Sequence, residues 1–268
     1  MPGPEVTTSE GATRERALLV KRAGKLWTVV INRVERRNAI DGALLDELSR
    51  LLDEAESDRV CKMIVLEGRE GIFCTGMDFE AVAREFASGE LSQDEASRYM
   101  AVIKRFTSIP KVIVAKVEGQ VLAGGVGCVA ASDLVVSNRS SQFCLSEALW
   151  GLLPACVTPF LIRRVGFQKA YKMTLTTETI DAAEAWRIGL VDILSDDCDD
   201  EVRRLLLRVG RLEEQTIRDL KQYFRRMWLI DDAVEHEAIT EMARLFNTPR
   251  VRQNIKNYVE LRRFPWET

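Results

Sequence analysis

The sequence predicts an α/β protein in which a sheet-rich body precedes a helical C-terminal region. Short apolar and β-branched runs, separated by turns that contain glycine or proline, fill the first half of the chain. Helical periodicity dominates from Pro159 onward. With 268 residues and 46% hydrophobic content, the chain can bury a sizeable core as one large domain, with or without a small appendage.

The body is predicted to occupy residues 17–195. A turn at Gly24 joins two β-rich runs into a hairpin, Asp41 is the N-cap of a helix with leucines at helical spacing, and Pro110 ends a second helical stretch. The predicted elements, in order, are strands at 17–21 and 26–31, a helix at 41–57, a strand at 63–66, a helical stretch at 79–106, a strand at 112–117, a short helix at 129–132 and a strand at 133–137.

The helical region is predicted to occupy residues 196–268, after further helices at the end of the body. Residues 1–16 are polar and lack an apolar period, which predicts a disordered leader. The helical signals lie at 160–165, 168–175, 182–188, 201–212, 214–228 and 233–246.

The composition excludes several classes of function. A net charge of -3 gives no basic field to hold nucleic acid or an anionic membrane surface, and no apolar run approaches the roughly 18 residues of a membrane helix. The six cysteines form no C-x-x-C pair and are accompanied by a single histidine, so we expect no metal site. Free thiols and the lack of a visible signal peptide predict a cytoplasmic protein.

A glycine-rich turn at 121–127 is the first candidate site. Glycines beside a buried strand let the backbone approach a ligand closely and let a helix begin with free N–H groups, which suits an anion or an oxyanion. A turn that only packs a helix on a sheet is the alternative. A dinucleotide fingerprint that begins at Gly125 and uses Glu147 as its acid also fits the spacing, but the strand at 133–137 ends too early for that fold.

Two further features would complete such a site. The turn at 73–78 follows a predicted strand in the same way, so two strand-end turns can aim N–H groups at one point, as an oxyanion hole requires. Glu147 is the only acid between Asp133 and Glu178, and its mostly apolar neighbours would raise the pKa of its carboxyl toward neutrality, which suits proton transfer. An acid in the first turn of a helix capped by Ser146 is the alternative.

Five ordered motifs make the chain resemble the crotonase, or enoyl-CoA hydratase, superfamily from about Ala17 onward. They are Asn32-Arg33 with Asn38-Ala39, the run Phe-Cys-Thr-Gly-Met-Asp at 73–78, Ala123-Gly124-Gly125, Ser132-Asp133, and Phe143 with Glu147 and Gly151. The resemblance implies an α/β, crotonase-type spiral of repeated ββα units with a C-terminal helical region for trimerisation and active-site cover. It also implies a homo-trimer or hexamer, and no cofactor beyond the phosphopantetheine or CoA that carries the substrate.

Carried over residue by residue, the resemblance places the oxyanion hole at the backbone N–H groups of Met77 and Gly124. It places the proton-transfer group at Glu147. The other catalytic glutamate of the hydratases falls on Gly127, so this sequence departs from the two-glutamate pattern, and the glycine would leave room for a branched acyl chain. Asp78 is a candidate secondary acid, although capping of the following helix explains it better.

Basic residues at two places are candidates for contacts with the carrier. Arg33, Arg36 and Arg37 fall where family members contact the pantetheine or nucleotide end of the ligand, and a solvated charge cluster explains them equally well. A second group around Arg163 and Arg164 would either meet an acidic carrier protein or decorate a helix.

The run from Glu147 to Arg164 and the closing Phe264-Pro265-Trp266-Glu267 look most like the dehydratases of polyketide β-branching. That likeness implies dehydration of 3-hydroxy-3-methylglutaryl-acyl carrier protein to 3-methylglutaconyl-acyl carrier protein, with an acyl carrier protein as partner. The alternatives are an enoyl-CoA hydratase, which should keep an acid at Gly127, a 3-methylglutaconyl thioester decarboxylase, which should have a lysine or histidine near the acyl end, and a non-catalytic binding protein of the same fold.

Overall fold

Two β-sheets organise the body of the protein in the computed structural model, which describes residues 16–88, 93–228 and 231–267. Within these residues the first sheet consists, in spatial order, of β1 (Leu18–Ala23), β2 (Leu26–Ile31), β3 (Met63–Glu67), β5 (Val112–Val117), β7 (Leu134–Ser137) and β10 (Ile193–Leu194). The second consists of β4 (Ile72–Cys74), β6 (Gln120–Leu122), β8 (Gln142–Cys144) and β9 (Ile180–Asp181).

The pairing of these strands follows a repeated pattern. Strands β1 and β2 form an antiparallel hairpin, and the rest of the first sheet is parallel. In the second sheet β4, β6 and β8 are parallel and β9 is antiparallel. Each of the pairs β3 and β4, β5 and β6, β7 and β8 places one strand in each sheet before the chain enters a helix, which confirms the expected spiral of ββα units.

Twelve α-helices of the described residues surround and extend the sheets. They are α1 (Gly42–Ser57), α2 (Phe79–Ser88), α3 (Gln93–Phe106), α4 (Gly124–Ala131), α5 (Glu147–Trp150), α6 (Thr158–Val165), α7 (Phe167–Thr176), α8 (Ala182–Ile188), α9 (Cys198–Val209), α10 (Glu214–Arg225), α11 (Asp232–Phe246) and α12 (Pro249–Leu261). None of them is long and apolar enough to cross a membrane.

The longer predicted elements have the expected chemistry. The Asp41 side chain accepts a hydrogen bond from Leu44 N and begins α1 as predicted, and the leucine stripe of α1 is buried against the first sheet and α3. Strand β5 is buried at every position, as expected for an apolar strand covered on both faces. All six cysteines are buried as free thiols.

Four parts of the sequence prediction are corrected by the structure. The two candidate turns follow the short strands β4 and β6, not the long strands of the first sheet. The helix predicted at 129–132 already begins at Gly124, and the stretch at 79–106 contains two helices. Helix α12 was not predicted. The predicted leader lies outside the described residues, apart from Arg16.

Ion pairs attach the C-terminal helices to the body. The side chain of Lys111 is fully buried and its Nζ lies 2.7 Å from a carboxylate oxygen of Glu214 on α10. Lys221, also on α10, lies 2.6 Å from Asp133. Because a buried charge without its partner is costly, these pairs help to fix α10 on the body. Helix α12 packs against α2 and α5, next to the candidate site.

Candidate active site

The candidate site lies where three neighbouring strands of the second sheet end. Strands β4, β6 and β8 are adjacent and parallel, so their carboxyl ends meet at one edge. Met77 follows β4, Gly124 is the first residue of α4 after β6, and Glu147 is the first residue of α5 after β8. The topology therefore brings together the three residues that the motifs singled out, with Gly124 between the other two.

The first two turns are in direct contact. A Cβ atom placed on Gly76 would lie 2.7 Å from the Cβ of Ala123 and 3.0 Å from the backbone nitrogen of Gly124. Gly76 also has a φ of +81°, a conformation that favours glycine. Both the close approach and the backbone angle therefore require glycine at position 76.

The backbone directions at these turns suit an oxyanion hole. In the bridge between Ile40 and Met77, Ile40 N donates to Gly76 O at 2.7 Å and Asp78 N donates to Ile40 O at 2.8 Å. The N–H of Met77 therefore points away from Ile40. Gly124 is the first residue of α4, so its N–H has no acceptor within the helix. Both residues line one cavity of ≈ 650 Å³, as the predicted oxyanion hole requires.

Aromatic side chains from the body and from the C-terminal helical region form part of the cavity wall. Trp150 packs edge to face on Phe79 and Tyr258, with ring centroids 4.8 and 5.1 Å away, and it also contacts Phe264 and Trp266. The sequence analysis missed this cluster, although it singled out the closing motif that contains Phe264 and Trp266. The cluster provides an apolar wall for a long acyl or pantetheine chain.

Glu147 has the environment of a proton-transfer group. The carboxylate oxygen Oε2 is buried and has no hydrogen-bond partner among the described residues. Burial raises the pKa of Glu147 from its ordinary 4.5 to about 7. A hydrogen bond from the residue's own backbone N–H lowers the pKa, but by less than burial raises it. The side chain of Ser146 does not cap α5. The alternative of a helix capped by Ser146, with Glu147 as an acid of its first turn, therefore lacks the capping hydrogen bond that it requires. A carboxyl that titrates near neutrality can both accept and donate a proton.

The prediction that Gly127 leaves room for the acyl chain is wrong. A Cβ atom on Gly127 would lie 2.0 Å from the hydroxyl oxygen of Tyr99 and 2.9 Å from Cγ2 of Val157. Tyr99 therefore fills the space, and it is Tyr99 that lines the cavity. The sequence analysis missed Tyr99 because it lies among core residues of α3, with nothing in its spacing to set it apart.

Asp78 acts as the N-terminal cap of α2. Its carboxylate accepts from the backbone N–H groups of Glu80 and Ala81 at 3.0 and 3.2 Å, and it forms an ion pair of 3.1 Å with Arg33. This contact set is the one expected of a helix cap. Because three donors already occupy the carboxylate, the geometry favours capping over a role as secondary acid.

The two arginine candidates have different surroundings. Arg33 is half-buried, pairs with Asp41 and Asp78, and is not among the described residues of the cavity wall. Its guanidinium therefore holds the loop between β2 and α1. Arg37 is exposed and lies in the cavity wall. Arg36, which belongs to the predicted cluster, and Arg262, which the prediction did not name, also line the cavity, and both pair with Glu80.

The second basic group serves the fold. Arg163 donates to the carbonyl oxygens of Ala130 and Ser132 at 2.7 and 3.2 Å, and Arg164 donates to Ser132 O at 2.8 Å. These arginines satisfy carbonyl groups at the C-terminal end of α4. The dinucleotide alternative also fails, because the chain passes through β7 of the first sheet between α4 and β8, so β6, α4 and β8 do not form the direct β–α–β unit that the fingerprint needs.

Comparisons with known proteins agree with this geometry. The family model described as enoyl-CoA hydratase/isomerase matches residues 21–268. The chain is 36% identical over 252 residues to the bacillaene synthase dehydratase PksH of Bacillus subtilis, covering 94% of this chain and 97% of that protein. It is 31% identical to the 2,3-dehydroadipyl-CoA hydratase of Escherichia coli, covering 78% of this chain and 82% of the relative.

Solved structures show the same likeness. The crystal structure of the putative polyketide biosynthesis enoyl-CoA hydratase (pksH) from Bacillus subtilis matches with a TM-score of 0.87 and 34% identity, covering 94% of this chain and all of that one. A putative enoyl-CoA hydratase from Mycobacterium avium paratuberculosis K-10 matches with a TM-score of 0.80 and 30% identity, over 93% and 100% of the two chains. The chain belongs to the enoyl-CoA hydratase/isomerase family, the crotonase superfamily, and is an enzyme of its hydro-lyase type.

Proposed function

We propose that the enzyme dehydrates 3-hydroxy-3-methylglutaryl-acyl carrier protein to 3-methylglutaconyl-acyl carrier protein in polyketide β-branching. The observation that carries the proposal is the buried carboxyl of Glu147, whose Oε2 has no hydrogen-bond partner among the described residues. It shares one cavity with the two candidate oxyanion donors, and a tyrosine stands where the other catalytic acid of the hydratases would begin. The similarity to PksH, which is named a dehydratase, supports the polyketide setting. The reaction needs no cofactor beyond the phosphopantetheine arm that carries the substrate.

The proposed mechanism uses one carboxyl twice. The thioester carbonyl oxygen accepts hydrogen bonds from the N–H groups of Met77 and Gly124, which stabilise the enolate that forms when the Glu147 carboxylate removes the α-proton. The protonated Glu147 then gives that proton to the 3-hydroxyl as the carbon–oxygen bond breaks. Water leaves, the α,β-double bond forms, and the carboxylate is restored.

The direct test is to incubate the enzyme with 3-hydroxy-3-methylglutaryl-acyl carrier protein and to measure the intact mass of the carrier. We expect the acylated carrier to lose the mass of one water. The carrier incubated with Glu147→Gln enzyme is the control for spontaneous loss. An unchanged acyl mass, with folded enzyme and intact thioester, would contradict the proposed function.

The rate should depend on pH through Glu147. Since the pKa of this buried carboxyl is raised to about 7 and the free enzyme must hold it ionised, we expect kcat/KM to be level above pH 7. Below that, it should fall about tenfold per pH unit. The measurement is kcat/KM from pH 5 to 9 with substrate and enzyme stability checked at each pH. A profile that bends near the ordinary glutamate pKa would contradict the buried base.

The enzyme should prefer a carrier-bound thioester to the same acyl group on CoA. Arg37 is an exposed cation of the cavity wall that donates to Gln120 and, unlike Arg36 and Arg262, does not pair with Glu80. Such a group can attract an acidic partner protein. We expect kcat/KM to be at least ~10-fold higher for the carrier-bound substrate, or about 1.4 kcal/mol.

Arg37→Ala should reduce this preference, whereas Arg22→Ala, which removes an exposed arginine paired with Glu54, should not. Equal efficiencies for both thioesters in the parent would contradict the carrier assignment.

Two other activities of the superfamily remain as alternatives with defined outcomes. The family, and several relatives of this chain, are named enoyl-CoA hydratases. Hydration of an enoyl-CoA is therefore the second candidate activity. It would be measured as the addition of one water to the enoyl-CoA thioester. A decarboxylase should have a lysine or histidine near the acyl group. None of the described residues that line the cavity is a lysine or a histidine.

We propose a homo-trimer, or a hexamer made of two trimers, as the assembled enzyme. Support comes from α10 and the turn that follows it, where Leu220, Tyr223, Phe224 and Met227 are exposed large apolar residues. A face of this kind is typical of a contact between subunits. The mass in solution, measured by light scattering, tests the assembly.

A further inference from the structure

We propose that Tyr99 and Gly127 are a matched pair that keeps a carboxylate out of position 127, and that Tyr99 acts as a positioning residue for the oxyanion donor Gly124. The kinetic part of this inference rests on the proposed function. Its structural part rests on contacts alone.

The first observation is that the hydroxyl of Tyr99 stands where any side chain at position 127 would have to begin. Its oxygen is 2.0 Å from the site of a Cβ atom on Gly127, while the ring carbon Cζ is 3.3 Å away. Val157 closes the other side at 2.9 Å. The ring of Tyr99 is buried and stiff, so it cannot give way as the end of a lysine or arginine could. Tyr99 can therefore occupy this place only if residue 127 is a glycine.

The second observation is that the same hydroxyl holds the first turn of α4. Tyr99 Oη donates to Gly124 O at 2.6 Å, and Gly124 carries the N–H that the mechanism uses. A hydrogen bond to the carbonyl of this residue restrains its orientation, and with it the direction of the N–H. Helix α3 is thereby connected to the oxyanion hole through one phenol group.

The third observation concerns the charge state of the Tyr99 phenol. Burial raises the pKa of Tyr99 well above its usual value, and the nearby Glu147 charge acts in the same direction. The phenol therefore stays neutral and remains a donor over the working pH range, so it cannot replace a glutamate as base. Tyr99 also excludes a carboxylate side chain at position 127. In the proposed mechanism Glu147 therefore acts as both base and acid.

The kinetic test is Tyr99→Phe, which keeps the ring and removes the hydroxyl. We expect kcat to fall by roughly 10- to 100-fold, because the oxyanion donor is less well oriented, while KM and the pH at which kcat/KM bends stay close to those of the parent. Tyr171→Phe, which removes a hydroxyl from the exposed side of α7, is the control and should change neither constant. A parent-like kcat in Tyr99→Phe, even with a lowered melting temperature, would overturn the positioning role.

The structural test is a double-mutant cycle in melting temperature, which needs no substrate. Gly127→Ala should lower the melting temperature strongly in the parent, because the new methyl group meets the Tyr99 hydroxyl. It should cost much less in the Tyr99→Phe background, where the nearest ring carbon is 3.3 Å away. An equal loss in both backgrounds would overturn the pairing.

The two tests separate this inference from the proposed function. If the parent does not dehydrate the carrier-bound substrate, the proposed function fails. The melting cycle then still decides the pairing, and the kcat of Tyr99→Phe is compared with the parent on the thioester that the parent converts. If the parent dehydrates the substrate and Tyr99→Phe does so equally fast, the positioning role alone fails.

Discussion

Glu147→Gln should lower kcat for dehydration toward the ~10,000-fold end of the range that general acid–base catalysis contributes. The amide keeps the size and shape of the side chain but neither accepts the α-proton nor returns it to the leaving hydroxyl. Two positions cannot supply a replacement carboxyl, because Tyr99 fills the place of the hydratases' other glutamate at Gly127 and Asp78 is occupied by three donors. Substrate binding should persist, since the N–H groups of Met77 and Gly124 are unchanged.

The same variant should be at least as stable as the parent above neutral pH. The pKa of Glu147 in the folded protein, about 7, is higher than its ordinary 4.5, so the ionised carboxylate destabilises the fold as pH rises above about 4.5. This destabilisation is complete above about 7. Glu147→Gln removes it, and its melting temperature should exceed that of the parent at pH 8 and approach it below pH 4.5.

Rate, substrate affinity and melting temperature of Glu147→Gln are measured on one preparation. A rate within roughly tenfold of the parent, short of the usual acid–base contribution, would remove Glu147 from the mechanism. If Glu147 served only as a helix-end acid, the change would cost about 1 kcal/mol of stability at most and leave the rate intact. A destabilised but active variant would point to that role.

The sequence predicts the long elements of this fold because their apolar patterns are long enough to have a period. Helix α1 has an Asp41 cap and a stripe of buried leucines, and β3 and β5 are continuous apolar runs. Strands β4, β6 and β8 have only three residues each, too few to show alternation. They form because each pairs with the next in a sheet that exists only after the chain has turned through the spiral.

The site could be predicted where local sequence carries the chemistry. Gly124 begins a helix after a strand, and Glu147 has apolar neighbours, so both leave a local pattern in the sequence. Tyr99 leaves none: its position in α3 matches a core residue, and its role depends on contacts with Gly124 and Gly127 far along the chain. The ion pairs of Arg33 and the aromatic cluster around Trp150 are likewise tertiary features. Spacing cannot reveal such contacts.

Gly125→Ala should lower kcat/KM by about 100-fold, because it moves the two oxyanion donors apart. A Cβ atom at this position would lie 2.5 Å from the carbonyl oxygen of Cys74 and 3.0 Å from its Cβ. Backbone of β4 cannot rotate away as a side chain can, so α4 must shift from the strand that leads to Met77. A misplacement of about 1 Å in a reacting geometry can cost on the order of 100-fold in rate.

The neighbouring glycine provides the matched comparison. A Cβ atom on Gly124 would meet Ile40, Tyr99 and Gly76 at 3.4 to 3.6 Å, which is ordinary contact, so Gly124→Ala keeps its N–H and should lose far less activity than Gly125→Ala. Both variants add one methyl group to the same turn of α4, and kcat/KM is measured at a temperature where circular dichroism shows each to be folded. Equal losses, or a Gly125→Ala enzyme as active as the parent, would show that the contact between α4 and β4 does not set the distance between the donors. A loss confined to Gly125→Ala would show that close packing of α4 on β4 holds the oxyanion hole together.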